Sequence, residues 1–177
     1  MKKHTLFRVT ALVIAAMLAC GALASCGEKA EHPGYKLARG DADDFDFYVP
    51  QSWTVSMTEG TVAAYCSPAD PSSISLMPGE LEHADSTPDD WWTAYESEFS
   101  SIYTDYSLIE AKDDSLGGCA ARTFVFSGKL LDNEYHFEIT AAVRSGRIYM
   151  LTFTSTPDKY ENHADTLADV KEFVKFH

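Results

Sequence analysis

Apolar and polar residues alternate in several short stretches in the first half of the chain. In FDFYVP (45–50) the alternation predicts a first strand that ends at Pro50, and Trp53 is expected to fold back onto the core. TVAAYC (61–66) and SISLM (73–77) flank the turn-like sequence SPADPSS and predict two further short strands.

A helical period follows these strands. Thr87 suits the N-cap, Pro88 suits the first helical position, and two aspartates follow in the first turn, where the helix dipole favours acids. Apolar residues then recur at steps of three and four, which predicts a helix that ends near Ile102 or Tyr103. The residues of this apolar stripe are Trp92, Tyr95, Phe99, Ile102 and Tyr106.

The second half of the chain has the period of an antiparallel sheet. ARTFVFSGKLL (121–131) and EYHFEITAAVR (134–144) predict a hairpin that turns at Asp132 and Asn133, which tolerate a positive φ. RIYMLTFTS (147–155) is apolar on both faces and predicts a central strand covered on both sides. In the second hairpin arm, Tyr135, Phe137, Ile139, Ala141 and Val143 are predicted to face one way and His136, Glu138, Thr140 and Arg144 the other.

A last helix is predicted after Pro157. Its inner face would carry Leu167, Val170 and either Phe173 or Val174. Helices at two separate points beside a predicted antiparallel sheet indicate the α+β class.

The N-terminal segment has the pattern of a bacterial lipoprotein signal peptide. Three basic residues precede an apolar run, Val9 to Ala19, that is too short to span a bilayer but suits a secretory signal. Leu-Ala-Ser-Cys at 23–26 matches the sequence at which such signals are cleaved before a lipidated cysteine, so we predict lipidation of Cys26. The alternatives are Cys20, whose preceding residues fit less well, and an ordinary secretory signal cut near Ala24.

These features predict the domain organisation. Residues 1–25 form the signal peptide, residues 26–39 a polar, lipid-anchored tether, and residues 40–177 one domain of ordinary size. Two acyl chains on one cysteine suffice for stable anchoring. The predicted location is the extracytoplasmic face of a bacterial cell membrane.

Net charge narrows the range of partners. The chain has 14 basic and 27 acidic residues; removing the signal's three basic residues leaves 11 and 27, a net charge of −16. Residues 27–39 carry three basic and two acidic residues, so residues 40–177 have a net charge of −17. Such a domain is repelled by phosphates, which argues against nucleic acid and against binding of lipid headgroups through basic patches.

Three stretches resemble the PsbP-like family, named for an extrinsic subunit of photosystem II. They are FDFYVPQSW, LGGCAARTFVFSG and GRIYMLTFTSTPDKYENHADTLADVKEFVKF, within residues 42–177. The resemblance implies a central antiparallel sheet flanked by helices, an α/β/α sandwich. It also implies binding or assembly rather than catalysis, and we recognise no metal-ligand pattern of the family.

The sequence contains no familiar catalytic motif. A Gly-x-Ser-x-Gly elbow, His-Glu-x-x-His, a phosphate-binding glycine loop and Cys-x-x-Cys are all missing from it, so we predict that the chain is not an enzyme. Cys66 or Cys119 could pair with His136 or His163 as an activated thiol, but no local sequence supports this. We expect Cys66 and Cys119 to form a disulfide or to remain two buried thiols.

Two acidic segments resemble cation sites only weakly. Residues 41–46 place Asp41, Asp43, Asp44 and Asp46 together, but Phe45 occupies a ligand position and the turn glycine of an EF-hand is missing. A second segment, with Glu80, Glu82, His83 and Asp85, could hold zinc only if its loop curled around the ion. We interpret both as solvated acidic loops and predict no cofactor.

Aromatic residues at the rim of the predicted helix are the remaining candidates for recognition. If Trp92 lies on the core stripe, Trp91 points about 100° away and lies at its edge. Trp91 and Tyr103 are therefore either a binding surface or side chains packed under a loop. We predict a non-catalytic binding or assembly module for an envelope protein with basic or aromatic surface; the alternative is a small-molecule or metal-binding lipoprotein.

Overall fold

The computed structural model describes residues 31–38, 44–58 and 61–177. Its helices are α1 (Pro88–Ile102), α2 (Pro157–Tyr160) and α3 (Ala164–Phe173), with a 3-10 turn, Glu161–His163, between the last two. The strands are β1 (Tyr35–Leu37), β2 (Phe45–Asp46), β3 (Tyr48–Pro50), β4 (Thr54–Thr58), β5 (Thr61–Ser67), β6 (Asp70–Glu80), β7 (Thr104–Leu116), β8 (Cys119–Leu130), β9 (Asn133–Arg144), β10 (Arg147–Ser155) and β11 (Lys175–Phe176).

Seven of these strands form one antiparallel sheet. Their order is β4-β5-β6-β10-β9-β8-β7, so β10 lies at the centre, with β4 and β7 at the edges. Strand β10 is buried along almost its whole length, which confirms the predicted central strand. The short strands pair separately, β1 with β3 and β2 with β11.

Helix α1 covers one face of the sheet. It begins as predicted, because Thr87 and Asp90 form a capping box in which each side chain accepts a hydrogen bond from the other's backbone N–H. Under it lies an aromatic layer in which the Trp92 and Phe124 rings stack at 4.3 Å between centroids. Other members of this layer are Trp91, Phe99, Tyr103, Phe126 and Phe137.

Helix α3 covers part of the opposite face. Leu167, Val170 and Val174 pack there on a second apolar cluster that includes Tyr149, Leu151 and Phe153 of β10. Val174 is buried and Phe173 is only half-buried, which settles the alternative on the inner face of this helix. One helix on each face of an antiparallel sheet confirms the predicted α/β/α sandwich of the α+β class.

The N-terminal region differs from the prediction in two ways. The expected single strand at 45–50 breaks at Phe47, because β2 pairs with β11 whereas β3 pairs with β1. Residues 31–38, which we assigned to the tether, pack on the domain: β1 forms a ladder with β3, and Ala38 is buried. The predicted signal peptide and Cys26 lie outside the described residues.

The sheet also contains strands that we did not predict. Strand β7 runs for 13 residues along one edge and β4 runs along the other. Most of β7 is exposed, so its sequence carries charges instead of an apolar period. The hairpin turn lies one residue earlier than predicted, at Leu131 and Asp132, and the positive φ falls on Leu131.

Candidate functional site

A cleft of about 800 Å³ opens on the face of the sheet opposite α1. Helix α3 and the segment before it form one wall, and the edge strand β7 forms the other. Between them, the floor is made by residues of β8, β9 and β10, among them Val125, Glu138 and Phe153. The cleft exists because α3 lies over only part of this face and leaves the side near β7 uncovered.

Buried polar residues organise the floor of the cleft. Lys171 donates hydrogen bonds from Nζ to Glu138 Oε1 at 2.5 Å and to Asp114 Oδ2 at 2.7 Å. Tyr160 donates its hydroxyl to the other Glu138 oxygen, also at 2.5 Å. Thr123 donates to Asp114 at 2.7 Å. Such a satisfied network holds each side chain in one position before any ligand arrives.

Burial and the hydrogen bonds of this network shift the pKa values of Asp114 and Tyr160. Burial raises the pKa of Asp114, but hydrogen bonds from Lys171 and Thr123 outweigh burial and bring that pKa below its usual value. Burial and the hydrogen bond to Glu138 both raise the pKa of Tyr160 well above its usual value. Asp114 is therefore ionised and Tyr160 is a neutral donor at physiological pH.

The charge of the cleft is negative. Its lining includes five acidic and two basic side chains, a formal charge of −3. Lys112 and Lys171 are the two cations, and both contact carboxylates of the lining. The acids are Glu110, Asp114, Glu138, Glu161 and Glu172.

A glycine fixes the end of α3 against the sheet. Gly117, in the turn between β7 and β8, has a φ of +56° and donates its backbone N–H to the Lys171 carbonyl at 2.8 Å. A Cβ at this position would lie 2.6 Å from the Val174 carbonyl oxygen. The close approach of this turn to α3 therefore requires glycine, and it ties the two walls of the cleft together.

A second cluster lies at the end of β5. Cys66, Asp70 and His163 each offer one ligand atom, and these three atoms lie within 4.8 Å of one another. Among the described residues, this is the one group of three or more cysteine, histidine and acidic side chains that converges in this way. His163 Nε2 lies 3.0 Å from Asp70 Oδ2. The sequence pattern offered Cys66 and His163 among four possible thiol–imidazole pairs, without support for any of them, and gave no sign of Asp70.

The thiol in this cluster has no features of an activated nucleophile. Burial, and then the negative charge of Asp70, raise the pKa of Cys66. Burial also raises the pKa of Asp70, but the hydrogen bonds from Ser72 and His163 dominate and the net pKa is lowered. At neutral pH the free cluster holds a thiol beside a carboxylate.

The predicted disulfide between Cys66 and Cys119 is wrong for this strand order. Both cysteines are free and half-buried. Cys66 is on β5 and Cys119 on β8, with β6, β10 and β9 between them. Four strand spacings separate them by roughly 19 Å, whereas a disulfide needs Cα atoms within about 7 Å. Cys66 and Cys119 are therefore two partly buried free thiols, close to the second of the two alternatives that we expected.

Trp91 and Tyr103 are core residues, so the prediction that they form a binding surface is wrong. Each side chain is 5% exposed. Trp91 contacts the rings of Trp92 and Tyr95 and lies beneath the loop that follows β6, and Tyr103 packs on Phe137 at 4.5 Å between ring centroids. A position at the edge of the helix stripe is covered here by the loop, which the helical period alone does not reveal.

The acidic segments do not form a cation site among the described residues. Glu80, Glu82, His83 and Asp85 line a small cavity of about 320 Å³ beside the start of α1, with their side chains exposed. Asp44 instead pairs with Arg147 at 2.6 Å. Asp41 and Asp43 lie outside the described residues.

No helix within residues 31–38, 44–58 and 61–177 is long and apolar enough to span a membrane.

Comparison with known proteins shows similarity at the level of structure. No family model and no curated protein matches the sequence. Cyanobacterial PsbP from Synechocystis aligns with a TM-score of 0.60 and 16% identity, over 89% of this chain and 100% of that one. LpqN of Mycobacterium tuberculosis, involved in cell envelope biogenesis, aligns with a TM-score of 0.55 and 13% identity, over 80% of this chain and 89% of that one.

A third similar structure is PA94, a protein of unknown function from Pseudomonas aeruginosa. It aligns with a TM-score of 0.56 and 15% identity, over 78% of this chain and 94% of that one. At these low identities, the three alignments establish a shared arrangement of the sheet and helices, and they do not establish a shared function. The resemblance seen in the sequence is confirmed at this level: the chain has a PsbP-like fold.

Proposed function

We propose that this protein is a lipid-anchored, extracytoplasmic binding module that recognises a basic segment of an envelope protein without catalysis. The observation that carries the proposal is the acidic cleft of about 800 Å³ between α3 and β7. A preformed concave site with a formal charge of −3 favours a cationic ligand, because complementary charge steers association and specificity.

The cleft is suited to binding rather than to acid–base chemistry. Both carboxylate oxygens of Glu138 already accept hydrogen bonds, one from Lys171 and one from Tyr160. A general base needs an oxygen free to take a proton from substrate. The exposed acids at the rim, Glu161 and Glu172, lack such partners in the cleft and can pair with lysine or arginine of a ligand.

The envelope location rests on the N-terminal pattern and on one structural neighbour. The signal-like segment ending at Cys26 supports lipidation and export. LpqN, whose fold is similar, is involved in cell envelope biogenesis. A domain of net charge −17 is repelled by anionic headgroups, so the lipid on Cys26 would supply membrane attachment while the cleft remains free for protein.

The anchor is tested by Cys26→Ala in the full chain. We expect the variant to leave the membrane fraction while the domain stays folded, because the anchor and the sheet are separate parts of the chain. Cys119→Ser is the matched control and should remain membrane-bound. Retention of Cys26→Ala on membranes after a high-salt wash, with no uncleaved signal peptide, would show that the protein is held in another way.

The cleft is tested by charge reversal at its rim. Glu161→Lys with Glu172→Lys should reduce capture of the partner from crosslinked cells by at least about tenfold, because two attractive contacts become repulsive. Asp158→Lys with Asp165→Lys makes the same change of charge at exposed positions outside the lining. Equal losses in the two double variants would mean that overall charge, and not the cleft, recruits the partner.

A further inference from the structure

Three kinds of metal-ligating side chain meet outside the cleft. Cys66 is the penultimate residue of β5, Asp70 is the first residue of β6, and His163 closes the 3-10 turn before α3. None of the three lines the cleft. Their convergence depends on the turn between β5 and β6 lying beside the start of α3, which brings together residues 93 positions apart.

The cluster has the geometry of a coordination site rather than that of a catalytic triad. In a triad, the histidine holds the carboxylate on one ring nitrogen and the nucleophile on the other, so carboxylate and nucleophile are well separated. Here the sulfur of Cys66 and a carboxylate oxygen of Asp70 lie within 4.8 Å of each other and of the same nitrogen of His163. All three atoms therefore surround one point.

The ligands are held in place by their neighbours. Asp70 Oδ1 accepts hydrogen bonds from the backbone N–H and the hydroxyl of Ser72, at 3.0 and 2.6 Å, which leaves Oδ2 facing His163. The imidazole ring is fixed by edge contacts with Trp53 and Phe153, at 5.4 and 5.7 Å between centroids. Outer contacts of this kind orient metal ligands and strengthen binding.

We propose that Cys66, Asp70 and His163 bind a divalent transition metal of the zinc class, with the fourth coordination position open to water or to an exogenous ligand. Thiolate, imidazole and carboxylate are all zinc ligands, and calcium and magnesium prefer oxygen alone. Tetrahedral zinc places its ligand atoms about 3.3 to 3.7 Å apart, so a site with separations up to 4.8 Å closes by about an ångström at most.

The metal would fix the turn between β5 and β6 to the beginning of α3. Glu161 and Ala164, which lie before and after His163 in the chain, both line the cleft. Occupation of the site would therefore hold one wall of the cleft in position. The metal site does not depend on the proposed partner, because none of its three ligands lines the cleft.

Metal binding is tested on the full chain, purified in detergent, reduced and stripped with a chelator. We expect one equivalent of Zn²⁺ to bind in calorimetry, and Co²⁺ to give a sulfur-to-cobalt charge-transfer band. Cys66→Ser should abolish that band and His163→Gln should abolish stoichiometric binding. Cys119→Ser, which removes a half-buried thiol outside the cluster, should bind both metals as the wild type does.

A milder variant separates coordination from folding. Ser72→Ala leaves all three ligands in place but removes a hydrogen bond to Asp70, so Zn²⁺ affinity should fall about tenfold or more. The cobalt spectrum is read on the wild-type protein and does not depend on any variant folding. A wild-type spectrum without sulfur coordination, or equal Zn²⁺ affinity in Cys66→Ser and Cys119→Ser, overturns the proposal.

Discussion

The two faces of the sheet are built from the same strands but differ in what covers them. On the α1 face, Trp92 of the helix stacks on Phe124 and lies tilted against Phe126, and these rings are buried in one aromatic layer. On the α3 face, the helix covers the central strands and leaves a cleft over Val125 and Glu138. The closed face can be apolar throughout, whereas the open face has to satisfy buried polar groups that border water.

Strand β9 shows how one segment serves both faces. Phe137 and Ile139 point into the aromatic layer under α1, while Glu138 and Thr140 point to the opposite face. The period of two gives each face its own chemistry without any change in the backbone. The α1 face therefore packs the core of the fold, and the proposed function assigns recognition to the cleft face.

The largest effect is expected from truncating an aromatic residue of the closed face. Trp92→Ala should lower the free energy of unfolding by about 3 to 5 kcal/mol, because the ring stacks on Phe124 and leaves a cavity when removed. Denaturant unfolding measures this change. Trp91→Ala should be similarly costly, and exposed Thr93 on the same helix provides the control. A loss below about 1 kcal/mol for either tryptophan would contradict a closed aromatic layer.

A smaller effect is expected on the floor of the cleft. Glu138→Gln should destabilise the domain by about 1 to 3 kcal/mol, because Lys171 loses one of its two carboxylate partners in a buried position. A double-mutant cycle with Lys171→Met separates the pair from the individual side chains. Additive effects in this cycle would show that the pair does not hold the floor together.

The helix that closes the aromatic face is sensitive to its N-cap. Thr87→Ala removes the side-chain acceptor of the capping box and should cost about 1 kcal/mol in denaturant unfolding. The exposed Ser100 in the same helix is the control position, and Ser100→Ala should change stability by less than about 0.5 kcal/mol. Equal effects at the two positions would indicate that the cap contributes nothing specific.

The smallest effect is a difference in acid sensitivity. Because the pKa of Asp114 is lowered in the folded protein, its contribution to stability is present above the unfolded pKa of about 3.9 and is lost as pH falls through the folded value. Between about pH 4 and pH 2, the wild type should therefore lose stability more steeply than Asp114→Asn. If stability fell in parallel with pH in the two proteins, the ionised Asp114 would not contribute to stability through this network.

Sequence patterns predicted the parts of the fold in which local chemistry and tertiary packing agree. The capping box at Thr87, the alternation along β9 and the apolar run of β10 each report a local structure that the sheet then uses. Strand β7 was not predicted because an exposed edge strand needs no apolar period. Its charged side chains indicated only a polar segment.

The candidate sites needed the order of the strands, which no local pattern contains. Lys171 reaches Glu138 across 33 positions, and His163 reaches Asp70 across 93. The same missing information made a disulfide between Cys66 and Cys119 look reasonable. Individual residue types could be named from the sequence, but their convergence could be read only from the assembled sheet.

Site-specific photocrosslinking in intact cells tests the central claim that the open face is the recognition surface. A photoreactive phenylalanine analogue would replace Ile109, which is 54% exposed at the cleft, or Met57, which is 59% exposed on the opposite edge strand. The proposed function predicts a discrete crosslinked envelope protein from position 109 and none from position 57. Crosslinking of the same protein from position 57 alone, or equally from both, would contradict it.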